Sequence, residues 1–227
     1  LLMKFGGTSV GDADGIQQVA DIVEPHHAAG DEVAVVVSAC SGITDQIIAM
    51  ADEVAVSKEQ PPVGTFLAAM RSRHIHLLGE VAPDYVEEVT AVIDDRLTQL
   101  QNILIAVDTL KELTPRSRDY IISFGERLSA PIVSAALRQR GIASVVLDGA
   151  GAGIITTANH GDARALPSSE TSIRSRVVPL LATSVPVIMG FMGTTEQGVT
   201  TTLGRSGSDY SGAVIGAGID ADEIWIW

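Results

Sequence analysis

The stretch LLMKFGGTSVGDADGIQQVADIV, residues 1–23, decides how this chain is read. Leu1, Leu2 and Met3 begin an apolar run that Phe5 closes, Gly6 and Gly7 follow, and Ser9 and Asp12 lead into a helical pattern. A strand, a glycine turn and a helix in that order aim backbone N–H groups and the positive end of a helix at an anion. Lys4 stands inside the strand, just before the glycines, and two readings of it are open. Either it meets that anion, or the turn merely needs glycine backbone angles and the lysine reaches out to water. The segment alone leaves them even.

The same alternation runs outward along the chain. Apolar runs predict strands over 1–5, 32–38, 143–148, 186–190 and 223–227. Helical spacing predicts helices over 12–27, 44–56, 64–78, 84–113, 115–140, 171–182 and 208–217. VAVVVS and VPVIMG are continuous rather than alternating, as in strands covered on both faces. The expected class is α/β, with a mostly parallel central sheet. Thr114 and Pro115 make a helix start, with threonine as cap and proline at the first helical position. Residues 61–140 read as a helical insertion within a domain spanning 1–227, part of a lid or of a dimer surface. SKEQPPVG and the segment 147–170 read as loops, the second with a short strand at 154–157. The last run, DADEIWIW, reads as a core strand. Ligands of parallel sheets bind beyond the carboxyl ends of strands, so a chain halting there is expected to be part of a longer protein.

Composition sets limits. With 46% hydrophobic residues the chain can bury a sizeable core, but only 4% are aromatic, so Val, Ile, Leu and Ala must build it. No apolar run is long enough to span a membrane, and no signal peptide is visible ahead of the first glycines. Cys40 is the one cysteine, which rules out an intrachain disulfide and makes a reducing cytoplasm the default. A net charge of −13 argues against nucleic acid or anionic membrane as partners. Of the 15 basic residues only Lys4, Lys58 and Lys111 are lysines, a lysine-poor, acid-rich balance that suits a salty cell interior. Against that background Lys4 stands out, since the other two lysines fall in polar surroundings.

No G-x-x-x-x-G-K-[ST] loop is present, so this is not a P-loop protein. DGAGAGII imitates a dinucleotide fingerprint, but Ile154 occupies the third glycine position and the stretch reads as leading into a strand. KFGGTS, SACSGITD, GFMGTTEQG and TTLGRSGSDYS share a better signal. Each follows a predicted strand or opens a helix, where loops of a parallel sheet can line one crevice. Together they favour a phosphate site. Arg205 lies near glycines in GRSGSD and offers a planar fork for carboxylate or phosphate, or else a structural ion pair. Glu126 reads as mid-helix beside Gly125, where the glycine implies close approach of something; it could hold an ammonium group, or pair with Arg127 or another nearby arginine. Thr44 reads as an ordinary N-cap, and Asp209 as an N-cap or a partner of lysine or Mg²⁺. His74 and His76 point to different faces of a helix, His26 and His27 sit near a helix C-terminus, and His160 has no visible partner. Cys40 lacks a local histidine to activate it and reads as a small buried side chain.

Taken together and in order, MKFGGTSVG, VVSACSGITD, SFGERLSA, NHGDAR and TTLGRSGSDYS resemble the catalytic domain of the aspartate kinases, within the amino-acid kinase (carbamate-kinase-like) superfamily. The resemblance spans residues 3–227. It implies a three-layer αβα sandwich with an incomplete C-terminal lobe and no ACT regulatory domain. It also implies a cytoplasmic homo-oligomer that uses ATP and Mg²⁺ to phosphorylate L-aspartate, the first step toward lysine, threonine and methionine. By the resemblance Lys4, Gly6, Gly7, Ser9 and Ser208 would hold the ATP phosphates. Thr44, Glu126 and Arg205 would hold aspartate, Ser38 would line the junction of the two ligands, and Asp209 would organise Lys4 or the metal, which has no direct protein ligand. The alternatives are another amino-acid kinase acting on a different carboxylate, or a silent binding module of the same fold. Two departures matter. Ser206 stands where the family has glycine, and the family's later T-D-V-D-G-like nucleotide loop is missing, so the chain alone is expected to be inactive.

Overall fold

The apolar run at the head of the chain forms β1 (Leu2–Phe5), buried throughout, in a computed structural model that describes residues 1–57, 59 and 61–227. Beside it runs β2 (Ala34–Val37), with β3 (Ser144–Leu147), β4 (Val185–Met189) and β7 (Ile224–Ile226) completing one sheet. The order is β3-β4-β2-β1-β7, and every neighbouring pair is parallel. Parallel neighbours need crossovers. Helix α1 (Ala13–Ala29) joins β1 to β2. Between β2 and β3 come α2 (Ile43–Val56), α3 (Val63–Val81), α4 (Val86–Leu110), α5 (Pro115–Ile122) and α6 (Phe124–Gln139). Then follow α7 (Gly149–Ala152), α8 (Ser168–Leu181) and α9 (Gly207–Gly218).

Side chains alternate across the sheet, and the two cores follow that alternation. Met3, Phe5, Val35, Val37, Val187 and Met189 join Ile16 of α1 and Leu128 and Ile132 of α6 in one core. Leu2, Ala34, Val36 and Ile188 face Ile173 and Val177 of α8 and Ile215 of α9 in the other. The expected αβα sandwich with a parallel sheet is therefore the fold that forms. Local signals hold too: Asp12 caps α1 by accepting from Gly15 N–H at 2.9 Å, and Thr114 accepts from Ser117 N–H at 3.1 Å ahead of Pro115. Among the described residues no helix is long and apolar enough to cross a membrane. Lys58 lies outside the described residues, and Lys111 pairs with Asp108 at 2.6 Å.

Three expectations are corrected. The helix predicted over 115–140 is two helices. Ser123 interrupts it by turning its hydroxyl back to the Tyr120 carbonyl at 2.7 Å, a local bond that competes with helical continuation. The loops GFMGTTEQG and TTLG contain an antiparallel hairpin, β5 (Met192–Thr194) and β6 (Thr200–Thr202), whose threonines and Gly193 carry no apolar alternation. The short strand expected at 154–157 forms only the isolated bridges Ile155–Thr194 and Thr156–Ala165, and DGAGAGII forms α7, capped by Asp148 on Gly151 N–H at 2.7 Å.

His74 is wholly buried in α3; its Nδ1 lies 2.7 Å from the Met70 carbonyl, while Nε2 has no partner among the described residues. Burial lowers its pKa below the ordinary histidine value. The fold thus holds this ring neutral while the unfolded chain takes up a proton below about 6.5. The stability it permits is present above that value and is lost as pH falls. His74→Met, which also removes the orphaned nitrogen, should flatten the fall of Tm between pH 7 and pH 5. Parallel Tm curves for variant and wild type would contradict this.

Candidate active site

Phe5 stands opposite Val37, and Val37 opposite Met189. The loops beginning at Gly6, Ser38 and Gly190 therefore leave the sheet side by side at its carboxyl edge. Gly190 is held there by close packing, since a Cβ on it would lie 2.9 Å from Ser208 Cβ. Over these loops opens a cleft of about 790 Å³, lined from all four of the glycine and polar segments singled out in the sequence and from α5 and α6.

Glu126 reaches this cleft because the chain breaks at Ser123 and α6 starts afresh, which puts it in the first turn rather than mid-helix. Gly125 permits the approach: a Cβ there would lie 2.6 Å from Ala39 Cβ and 3.3 Å from Thr44 Oγ1. Glu126 is 3% exposed. Its Oε1 accepts the Ala39 N–H at 3.0 Å, and its Oε2 has no partner among the described residues. Burial pushes its pKa up to about 8, against the smaller opposing pull of the Ala39 N–H. The suggested pair with Arg127 does not form. That guanidinium turns to Asp148 at 3.7 Å and to the rings of Tyr120 and Phe124.

The other residues expected to bind the amino acid line the same cleft. Thr44 lines the cleft but is not a cap: α2 begins one residue earlier, behind Gly42 at φ +76°, which leaves the threonine hydroxyl out of the capping role. The hydroxyls of Ser38 and Ser208 meet at 2.8 Å, and Ser129 donates to the Ser38 carbonyl at 2.8 Å. Arg205 is exposed and lines the cleft. Among the described residues it forms no ion pair, so the structural-bridge reading fails. It stands between Gly204 at φ +74° and Ser206 at φ +54°. Ser206, the departure from the family's glycine, thus occupies a left-handed conformation that costs a residue with a Cβ about 1 kcal/mol.

Lys4 takes a different face. Its place in β1 turns it toward α9, where it is buried and ion-paired with Asp209. Gly212, one turn further along α9, leaves the room: a Cβ on it would lie 3.4 Å from Lys4 Cβ. Lysine snorkelling to water is thereby excluded, and Asp209 is not a cap, since α9 begins behind Ser206. Of the residues assigned to phosphate, Gly7 and Ser208 line the cleft, whereas Lys4, Gly6 and Ser9 do not. Gly6 donates its N–H to the Trp227 carbonyl at 2.9 Å, so it offers close approach but no free donor. Ser9 N–H closes the turn onto the Gly6 carbonyl at 3.0 Å.

Sequence reasoning missed Asp119 of α5, which lines the cleft, and left His160 without a partner. His160 Nδ1 in fact lies 2.7 Å from Asp119 Oδ2. Phe191, also lining the cleft, sits at φ +67° with its N–H on Ser211 Oγ at 2.9 Å. Cys40 is buried, and burial pushes its thiol up to about 11, which removes it as a nucleophile.

The model of the amino acid kinase family matches residues 1–227. The chain is 33% identical over 227 residues to an aspartate kinase of Pseudomonas fluorescens, covering 100% of this chain and 41% of that protein. It is 32% identical to the chloroplastic aspartokinase 1 of Arabidopsis thaliana, covering 100% of this chain and 39% of that one. The chain thus spans about two-fifths of the length of the curated relatives it matches. Among solved structures, E. coli aspartokinase III in complex with lysine and aspartate superposes with a TM-score of 0.88 at 29% identity, over 100% of this chain and 48% of that one. The same enzyme in complex with aspartate and ADP gives 0.86, also at 29% identity and with the same coverage.

The geometry at Glu126 has a consequence for stability. Its carboxyl binds a proton in the fold up to about pH 8, whereas an unfolded glutamate loses it near 4.3. Stability contributed by that proton is full below the unfolded value and is lost as pH rises through about 8. Glu126→Gln keeps the acceptor for Ala39 and cannot ionise. It should raise Tm at pH 8.5 by about 5 °C and leave it nearly unchanged at pH 5. Equal shifts at both pH values would contradict the assignment.

Proposed function

The chain belongs to the amino acid kinase family, and from that premise we propose that it carries the catalytic site of an aspartate kinase. In this reading ATP phosphorylates the β-carboxylate of L-aspartate to give 4-phospho-L-aspartate, a first step in amino-acid biosynthesis. The observation that carries the reading is Glu126, a buried carboxylate with one oxygen satisfied by Ala39 and the other without a partner among the described residues. A cation is what such a group lacks. The α-ammonium of an amino acid supplies one, and the cleft also holds the Arg205 guanidinium, which forms no ion pair among the described residues.

Glu126 would take the ammonium and Arg205 the α-carboxylate as a two-pronged fork. Thr44 would add a hydroxyl near Glu126, and the paired hydroxyls of Ser38 and Ser208 would line the junction with the nucleotide. The β-carboxylate is already ionised at neutral pH, so its attack on phosphorus needs no general base. What remains is alignment and neutralisation of charge on the transferring group. Lys4 would supply the latter. Its Nζ lies 3.6 Å from where a Cβ on Gly6 would stand, at the glycine turn, and Asp209 holds it there. Among the described residues no three His, Cys, Asp or Glu side chains gather as a metal cage. In this reading Mg²⁺ would be held chiefly by the nucleotide phosphates, adding positive charge beside them. The P. fluorescens and A. thaliana relatives and the E. coli complex with aspartate and ADP support the choice of substrate and donor.

Two variants, made in a full-length parent protein, test the assignment by separate signatures. Arg205→Lys keeps the charge but loses the fork, and should lower kcat/KM for aspartate by about 100-fold. Lys4→Ala should lower kcat by about 10²–10³ with little change in aspartate KM. Steady-state kinetics with aspartate and glutamate as competing substrates would measure both. Values within threefold of wild type, or a preference for glutamate, would overturn the reading.

A further inference from the structure

Three segments of the cleft wall converge on one carboxylate. Asp119 of α5 is 1% exposed. Its Oδ2 lies 2.7 Å from His160 Nδ1, and its Oδ1 accepts the Thr202 hydroxyl at 2.5 Å. The Gly161 N–H reaches the two oxygens at 3.0 and 3.2 Å. Three donors on a buried carboxylate use most of its acceptor capacity, so this group ties the His160 and Thr202 side chains and the Gly161 backbone to one point.

What it holds leads to Arg205. Thr202 is the last residue of β6, three positions ahead of that arginine. The loop carrying His160 and Gly161 is bound to the same point, through Ala163 N–H on the Thr202 carbonyl at 2.9 Å. It also packs directly on Gly204: a Cβ there would lie 2.7 Å from Asp162 Oδ1 and 3.2 Å from the Gly161 carbonyl. Gly204 is thus boxed in at φ +74°, and Arg205 departs from it with no ion pair of its own among the described residues. Asp119 stands seven positions before Glu126, across the short break between α5 and α6.

We propose that Asp119 is the positioning residue for Arg205, and that α5 and α6 act together as a caliper for an α-amino acid. One end presents Glu126 directly. The other, through Asp119, His160, Gly161 and Thr202, sets the point from which the guanidinium reaches into the cleft. The distance between ammonium and carboxylate ligands is then fixed by one helical pair rather than by two independent loops. A misplaced fork loses its second hydrogen bond before it loses its charge. The inference rests on the reading of Arg205 and Glu126 as the two amino-acid ligands.

The test compares Asp119→Asn, Thr202→Val and Thr202→Ser by steady-state kinetics and by hydrogen exchange of residues 203–207. Asp119→Asn and Thr202→Val should raise aspartate KM by about tenfold while ATP KM stays within threefold of wild type. In both, exchange over 203–207 should quicken while the central strands stay protected. Thr202→Ser keeps the hydroxyl and should restore both readouts. If Asp119→Asn does not fold, Thr202→Val, which keeps the shape of the side chain, carries the comparison. Faster exchange with unchanged aspartate KM would overturn the proposal, as would equal rises in both KM values. Should the wild type neither bind nor phosphorylate aspartate, the functional reading fails, and exchange at 203–207 alone decides the structural half. Quickening supports the positioning role, and unchanged exchange overturns it.

Discussion

A carboxylate buried without a cation is the constraint around which this cleft is arranged. Glu126 is desolvated by the core and receives a single N–H from Ala39, so the fold holds a proton there that the open chain would release. Ordinary packing would avoid such a group, because an unsatisfied buried polar atom costs about 1–3 kcal/mol. Several features of the chain exist to place it nonetheless. The helix breaks at Ser123, a glycine at 125 lets α6 press on Ala39, and Arg127 is drawn away to Asp148. A site that is poorly satisfied when empty gains most from a ligand that completes it.

The parallel sheet divides the work between its faces. Successive residues of a strand point oppositely, so Lys4 enters the layer of α9 while Met3 and Phe5 join the core beneath α1 and α6. Lys4 and Glu126 are therefore kept on opposite faces of the sheet, which under the proposed reading separates the phosphate and ammonium ligands. Lys4 is held by Asp209, and Glu126 has no ion pair among the described residues. The two faces come together only at the carboxyl ends of β1, β2 and β4, where the loops from Gly6, Ser38 and Gly190 emerge in register.

Much of this was legible in the sequence, and the exceptions share a cause. The five sheet strands, most helices and the caps at Asp12 and Thr114 are encoded within a few residues of where they form. Glu126 could be suspected from Gly125, and Lys4 from the scarcity of lysine. The interruption at Ser123 is invisible to apolar spacing, which continues across it. The β5–β6 hairpin lacks an alternating pattern, and Thr44 loses its capping role to a glycine whose backbone angle no composition reveals. Asp119 is hidden for a stronger reason. Its partners lie 41, 42 and 83 positions away, so nothing local in SRDYII marks it as different from a surface aspartate.

The most direct test of this account is the proton balance of aspartate binding. Calorimetry at pH 7 in buffers of differing ionisation enthalpy reads the number of protons released per ligand bound. If Glu126 is protonated when empty and ionised against the ammonium, about one proton should leave at pH 7, and the number should fall toward zero above about pH 9. Aspartate binding with no proton release at pH 7, or release that is the same at both pH values, would contradict the claim that this buried carboxylate is the ammonium ligand.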